Sequence, residues 1–249
     1  MKLACNYCPE AELLVREGRI DIDYFKFPAL GFQVGLLHDA DAFEAVTRQA
    51  RALRPFLLHG LYPDMDRLIA SSKTPGLSFH PGFYKKRWPG ARKPIATAQS
   101  LQERYPRMDF ISAENEPYTD PALVSKVVRR AGCSFLLDIS HAYISSRRMG
   151  VGIWEYLDRL PLDRVNEIHI NGWAEKDGRI MCHVKINEAG YEILEKLLAR
   201  YTPKIITVEY GREDDPISCG CPVIRPGESS AAAMEEIVEQ VERIKGIIS

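Results

Sequence analysis

The chain has 249 residues, 45% of them hydrophobic and 27% charged. These fractions supply a full core and exclude intrinsic disorder and a small disulfide scaffold. With 33 basic and 34 acidic residues the formal net charge is −1, so no global field draws the chain to phosphate backbones or anionic lipid. No run approaches the ~18 apolar residues of a membrane span, and the opening MKLACNYCPE lacks the apolar stretch and cleavage motif of a signal peptide, which predicts a cytoplasmic protein.

Short β-branched or apolar runs alternate with helical patterns along the whole chain. The spacing predicts strands at Lys2–Asn6, Asp23–Pro28, Phe56–His59, Leu77–His80, Asp109–Glu114, Ser134–Asp138, Asn166–Ile170 and Ile205–Glu209. Between them, a helix is predicted over Pro121–Arg130, with Asp120 as its N-cap, Pro121 in the first turn and Gly132 as a left-handed exit. Glu188–Tyr201 and Met234–Ile248 read as further amphipathic helices. Eight such units imply an α/β fold, a single (β/α)8 TIM-like barrel over residues 1–249, a size usual for that fold. An open doubly wound sheet is the other arrangement of this pattern, but no glycine-rich nucleotide fingerprint follows any strand.

The strand ends carry the chemistry. His59, His80, Glu114, Asp138, His169 and Glu209 close the last six predicted strands, and in a barrel these positions meet at the C-terminal mouth. Three carboxylates crowded there repel one another unless cations neutralise them. Nitrogen and oxygen donors suit zinc, manganese or iron, and a carboxylate between two half-sites can bridge a metal pair. His141, three residues after Asp138, and His183, in the predicted loop RIMCHVKIN, can add a third site. Any one of these histidines alone reads as a hydrogen-bonded structural residue, as His38 does; jointly they read as a metal centre.

SFLLDISHAYISS followed by EYLDRLPLDRVNEIHINGW, with ENEPY at Glu114–Tyr118, the pair His59–Gly60 and the final strand's Glu209, resembles the multinuclear non-haem iron-dependent oxidative enzymes, the MNIO family within the xylose-isomerase-like barrels. The resemblance implies that His59, His80 and Glu114 hold one iron, and that Glu114, Asp138, His169 and Glu209 hold a second, with Glu114 bridging. A third iron in that family would use His141 and an acid-x-His pair, but Met181 stands two before His183 and the nearest upstream acid is Asp177. The family oxidises a peptide with dioxygen, commonly at cysteine, which implies a peptide or small-molecule substrate and an accessory peptide-recognition protein. Two relatives share part of the ligand set. Endonuclease IV resembles it through Asp138-x-x-His141, and the sugar isomerases and epimerases through Glu114, Asp138, His169 and Glu209, without needing both His59 and His80.

Six cysteines without a signal peptide read as reduced, metal-binding or catalytic before they read as disulfides. Cys5 and Cys8 after the first strand and Cys219 and Cys221 after the last lie on neighbouring strands of a closed barrel. They can meet as a four-thiolate zinc or iron–sulfur site; unligated thiols or a redox pair is the other reading. Cys133 reads as a small buried hydrophobe, and Cys182 sits beside His183, where it can be a ligand though nothing else in the sequence supports that role. Asn115, Asn171 and Trp173 flank the ligand motifs, where they can orient ligands, touch substrate or simply pack, and Arg212 follows Glu209 on the mouth side as a substrate contact. Arg147, Arg148, Lys85, Lys86 and Arg87 read as solvated loop cations that can rim the mouth and capture an anionic substrate.

The strand-end donors predict a metal-dependent enzyme with Glu114, Asp138 and Glu209 as its catalytic carboxylates, zinc or manganese being possible; the resemblance implies that it holds two or three iron ions and oxidises a cysteine-bearing peptide. A divalent-metal sugar isomerase or epimerase is the alternative. An endonuclease IV-like phosphodiesterase and a non-catalytic metal-binding protein rank below it, and neither nucleic acid nor membrane is expected as a partner.

Overall fold

The structure is a computed structural model describing residues 1–27, 40–82, 91–176, 178–210 and 231–249. Its strands are β1 (Lys2–Asn6), β2 (Tyr24–Phe27), β3 (Phe56–His59), β4 (Gly76–Phe79), β5 (Phe110–Glu114), β6 (Ser134–Asp138), β7 (Val165–Ile170), β8 (Gly172–Lys176), β9 (Arg179–Val184) and β10 (Ile205–Val208). Eight of these close a parallel barrel in the order β1-β10-β7-β6-β5-β4-β3-β2. The eight predicted strands are the eight barrel staves, shifted by a residue or two at some ends.

The sequence predicts a loop through RIMCHVKIN, whereas the structure folds β8 and β9 into an antiparallel hairpin beside the barrel. It leaves β7 at Gly172, where an added Cβ would lie 1.8 Å from the Lys185 carbonyl oxygen. Only glycine lets the two backbones pass so closely.

Helices pack around the staves for the reasons their sequences give. Pro121–Ala131 starts with Asp120 accepting from the Ala122 N–H and ends at Gly132 with φ 69°. Ile139–Met149 follows β6 without a loop, because Asp138 itself is the N-cap and accepts from the His141 N–H. The predicted Glu188–Tyr201 helix ends earlier, at Leu198, just ahead of Pro203, which cannot continue a helix. The main core lies between the outward faces of the staves and these helices.

The barrel interior is layered. Ala4, Leu57, Phe110 and Ile205 form a small apolar cluster separate from the main core. A buried polar layer follows: Lys26 Nζ donates to Glu167 Oε1 at 2.7 Å and to Ser78 Oγ at 2.9 Å, and Thr207 Oγ1 donates to the same Glu167 oxygen at 2.6 Å. Since β2 and β7 are not neighbours, the Lys26–Glu167 pair spans the barrel. No helix among the described residues is long and apolar enough to cross a membrane.

Candidate metal centre

Strand alternation carries the interior pattern upward by two residues per layer. Two beyond Ser78 comes His80, two beyond Glu167 comes His169, and two beyond Thr207 comes Glu209. In-register pairing sets Asp138 beside His169 and Thr207 beside the same residue from the other flank. The polar layer is thus the floor under the strand-end donors.

Glu114 is the hub. Its Oε2 lies 3.0 Å from His59 Nε2 and 2.8 Å from His80 Nε2, and these two ring nitrogens face each other at 3.1 Å. Three donor atoms with mutual separations of this size match ligands ~2.1 Å from one ion, which stand ~3 Å apart. The other oxygen, Oε1, faces His141 Nδ1 at 3.4 Å and His169 Nδ1 at 3.7 Å. Each oxygen of a buried carboxylate therefore meets a different pair of imidazoles. Burial alone would push the Glu114 carboxyl up, but His80 and His59 outweigh it and hold it well below the usual carboxylate range.

The ring orientations follow from what lies behind them. His169 Nε2 faces the Glu167 carboxylate at 3.2 Å, and a carboxylate has no proton to give, so Nε2 carries one. Burial alone would lower this ring, but the Glu209 carboxylate on its other side raises it well above the usual imidazole range, so in the metal-free protein Nδ1 holds a proton that a cation at the centre would displace. Nδ1 lies 3.1 Å from Glu209 Oε2. His59 Nδ1 meets Ser78 Oγ at 2.8 Å. That hydroxyl directs its own proton to the Leu58 carbonyl, which makes His59 the donor and frees Nε2 for the Glu114 side. His141 Nδ1 donates to the Asn115 carbonyl at 3.1 Å, leaving Nε2 as its lone-pair atom. Burial depresses His59 to about 4.

Asp138 has divided duties. Oδ1 caps the following helix, accepting from the His141 N–H at 2.7 Å and from Ser140 Oγ at 2.8 Å, while Oδ2 accepts from Asn171 Nδ2 at 3.0 Å. One donor atom from each of Asp138, His169 and Glu209 lies within 4.8 Å of the others, as does one from each of His59, His80 and Glu114; Glu114, Asp138 and His141; and His141, Cys182 and His183. All are buried except His80, whose side chain is 47% exposed at the mouth. Glu209 also faces His183 Nε2 at 3.4 Å, linking the barrel donors to the hairpin.

Asn115 and Asn171 are fully buried and held by the protein itself. Asn115 grips β6 at two points, donating to the Asp138 carbonyl and accepting from the Asp138 N–H. Asn171 joins Asp138 to the hairpin, since its Oδ1 accepts from the His183 N–H at 3.0 Å. Trp173 stacks on Tyr143 with ring centroids 4.4 Å apart. Arg147 and Arg148 lie in the last turn of the Ile139–Met149 helix instead of a loop, with Arg148 over the Tyr118 ring.

Cys5 and Cys8 are buried, and Cys8 Sγ caps the Pro9–Arg16 helix by accepting from the Ala11 N–H. Burial pushes the Cys5 thiol up to about 12. No group of three donors among the described residues includes either thiol. Cys219, Cys221, Arg212, Lys85, Lys86, Arg87, His38 and Asp177 lie outside the described residues.

Sequence reasoning missed Lys26, Ser78, Glu167 and Thr207, although each of the last three sits two residues before a singled-out strand-end residue. It also gave Cys182 no support. Burial would raise that thiol, but His183 and His141 beside it bring it down to about 6.

Residues 107–218 match the family model described as RiPP precursor modification enzyme MbnB/TglH/ChrH, the multinuclear iron family that the strand-end motifs resemble. Among curated relatives, a "UPF0276 protein" of Caulobacter vibrioides is 28% identical over 127 residues, covering 49% of this chain and 45% of its own length. Another, from Caulobacter sp., is 30% identical over 95 residues, or 36% of this chain and 34% of its own length. The chain thus aligns with less than half the length of these relatives. A xylose isomerase domain containing protein from Salmonella typhimurium superposes with TM-score 0.61 at 14% identity, covering 100% of this chain and 97% of that one. That likeness shows the fold, a xylose-isomerase-like TIM barrel.

Proposed function

We propose, with the family match over residues 107–218 as premise, that this barrel is a metal-dependent enzyme that modifies a peptide oxidatively, using dioxygen and a pair of iron ions, with a cysteine as the modified residue. One observation carries the reading: the two oxygens of the buried Glu114 face separate imidazole pairs, His59 with His80 and His141 with His169. That is the arrangement a bridging carboxylate needs.

The donor set fits such a pair. His59, His80 and Glu114 would hold one ion, and Glu114, Asp138, His169 and Glu209 the other. His169 Nδ1 and Glu114 Oε2 are buried polar atoms with no directed hydrogen bond of their own, as expected of atoms whose lone pairs serve an ion. A redox-active metal pair, when bound, supplies dioxygen activation and an open coordination position for substrate.

The chain's own groups set the conditions for that chemistry. Glu167 and Ser78 fix which nitrogen of His169 and His59 is turned to the centre. Asn115 and the helix cap fix Asp138, so that only Oδ2 is turned to the centre. The barrel walls exclude bulk water from all donors but His80, whose partial exposure marks the side from which substrate arrives.

The test is elemental analysis with Mössbauer spectroscopy on protein isolated without oxygen from iron-57-supplemented cells, followed by oxygen uptake with cysteine-bearing peptides. Two or more coupled non-haem irons per chain, and their loss as a pair in Glu114→Ala, are expected. A single manganese or zinc ion with no iron would overturn the oxidative reading in favour of sugar isomerisation. Retention of both metals in Glu114→Ala would overturn the bridge.

A further inference from the structure

The hairpin β8–β9 is irregular at one place, and the irregularity serves chemistry. Gly172 pairs with Val184 and Trp173 with Cys182, so His183 is the extra residue of a bulge in the ladder. His183 has φ 63°, a left-handed conformation uncommon for a residue with a Cβ. In a regular strand Cys182 and His183 would point to opposite faces. A bulge with a left-handed residue re-aims one of them, and such strain clusters at functional sites. Here both are buried and both meet His141 in one donor group whose atoms lie within 4.8 Å of one another.

The surroundings hold that geometry. Asn171 accepts from the His183 N–H and so anchors the bulge to the end of β7. His141 arrives from the first turn of the helix capped by Asp138, and its Nδ1 is committed to the Asn115 carbonyl, so Nε2 is its free donor. The His141 and His183 rings stand at 81° to one another with centroids 5.7 Å apart. Cys182 packs against Ile144 and Ile180, in dry surroundings that favour a thiolate only when a cation shares the site. The acid that the family resemblance implies is absent here: its place holds Met181.

The geometry points to a thiolate-containing metal site, His141–Cys182–His183, in which Cys182 supplies the anionic ligand and which takes zinc in preference to the iron of the carboxylate pair. It rests on the reading of the barrel mouth as a metal centre and adds a chemically different member to it. Two imidazoles and a thiolate form a soft-to-borderline donor set suited to tetrahedral zinc, and carboxylate-rich sites suit harder ions. Three protein ligands leave a fourth position for water or a substrate donor. Glu209, 3.4 Å from His183 Nε2, borders both sites.

Cobalt(II) titration of metal-free protein, read by absorption and by bound metal per chain, tests this directly. Wild type is expected to show a thiolate-to-cobalt charge-transfer band in the near ultraviolet. Cys182→Ser and Cys182→Ala should lose that band and one equivalent of metal, keep the others, and keep the wild-type far-ultraviolet circular dichroism. Cys182→Asp should recover the equivalent without the band. Glu114→Ala should keep the band and lose the paired ions. A wild type that binds two equivalents with no thiolate band would overturn the inference and spare the paired-metal reading. A Cys182→Ser variant with an unchanged band and full stoichiometry would do the same. A protein that binds no cobalt would overturn both.

Discussion

Lys26→Met tests whether the buried ion pair under the mouth acts as argued. Lys26 and Glu167 have side chains 1% and 0% exposed, with Nζ 2.7 Å from Oε1. Their partner groups are Ser78, Thr207 and His169, while Glu167 Oε2 accepts no hydrogen bond. Lys26 and His169 outweigh burial and hold the Glu167 carboxyl at about 2, so it is an anion that needs its cation. Removing one partner of such a pair leaves an uncompensated buried charge and costs ~3–5 kcal/mol. Because the Thr207 hydroxyl and His169 N–H stay in place, we expect the lower end, about 3 kcal/mol. For a domain of this size each kcal/mol lowers Tm by about 2–4 °C, which gives a drop of roughly 6–12 °C. Lys26→Met/Glu167→Gln removes both charges, and glutamine still offers an oxygen to Thr207 and His169. It should recover at least ~2 kcal/mol, because paired buried charges contribute little net stability. The assay is urea unfolding of metal-free protein followed by circular dichroism, with metal stoichiometry measured on the same variants. A single variant within ~1 kcal/mol of wild type, or a double variant no better than the single, refutes the reasoning.

Asn171→Ala deletes the acceptor of the His183 N–H and a donor to Asp138, leaving a buried amide unpaired. A loss of about 2 kcal/mol and faster hydrogen exchange at the His183 amide are expected. Gly172→Ala places a Cβ against the Lys185 carbonyl oxygen, so stability measured by denaturation should fall by more than ~3 kcal/mol. Asp120→Ala removes a helix cap and an exposed ion pair with Arg159, the latter contributing little; about 1 kcal/mol should be lost in thermal unfolding with metal content unchanged. Glu114→Gln should differ little from wild type after chelation, yet fall well below it in Tm when both are metal-loaded, because the bound ions contribute stability only where their ligand remains.

Most of the site was legible because strand ends are where sequence and barrel geometry coincide. His59, Glu114 and Asp138 are the last residues of their strands, and His80 and Glu209 the next residue beyond theirs. The hairpin was less legible, since RIMCHV carries no clean alternation. A signal was present all the same: Asp177–Gly178 between GWAEK and RIMCHV is a two-residue turn pair, and Gly178 has φ 71°. The bulge at His183 could not be read at all, because the extra residue depends on register against β8. Lys26 in YFKF and Glu167 in VNEIHI contradict the expectation of an apolar barrel interior. Each reads as a lone charge in a strand, and only closure of the barrel sets one against the other.

The two charge systems of the interior have different logic. Lys26 and Glu167 neutralise each other, so the floor adds no net charge beneath the mouth. Above it stand Glu114, Asp138 and Glu209, between 0% and 6% exposed, and among the described residues no lysine or arginine pairs with any of them. Their neighbours are imidazoles: against the effect of burial, Glu114 raises His80, Asp138 raises His141 and Glu209 raises His169, so in the metal-free protein ring protons supply the balancing charge. Carboxylates and imidazoles crowded in this way suit a cation, since one ion held by all of them would take the place of several separate ring protons. A barrel built only for stability would put lysines or apolar side chains at these strand ends. Among the described residues, donors oriented by their own hydrogen bonds with no lysine or arginine paired to the carboxylates favour the reading in which a metal ion completes the site.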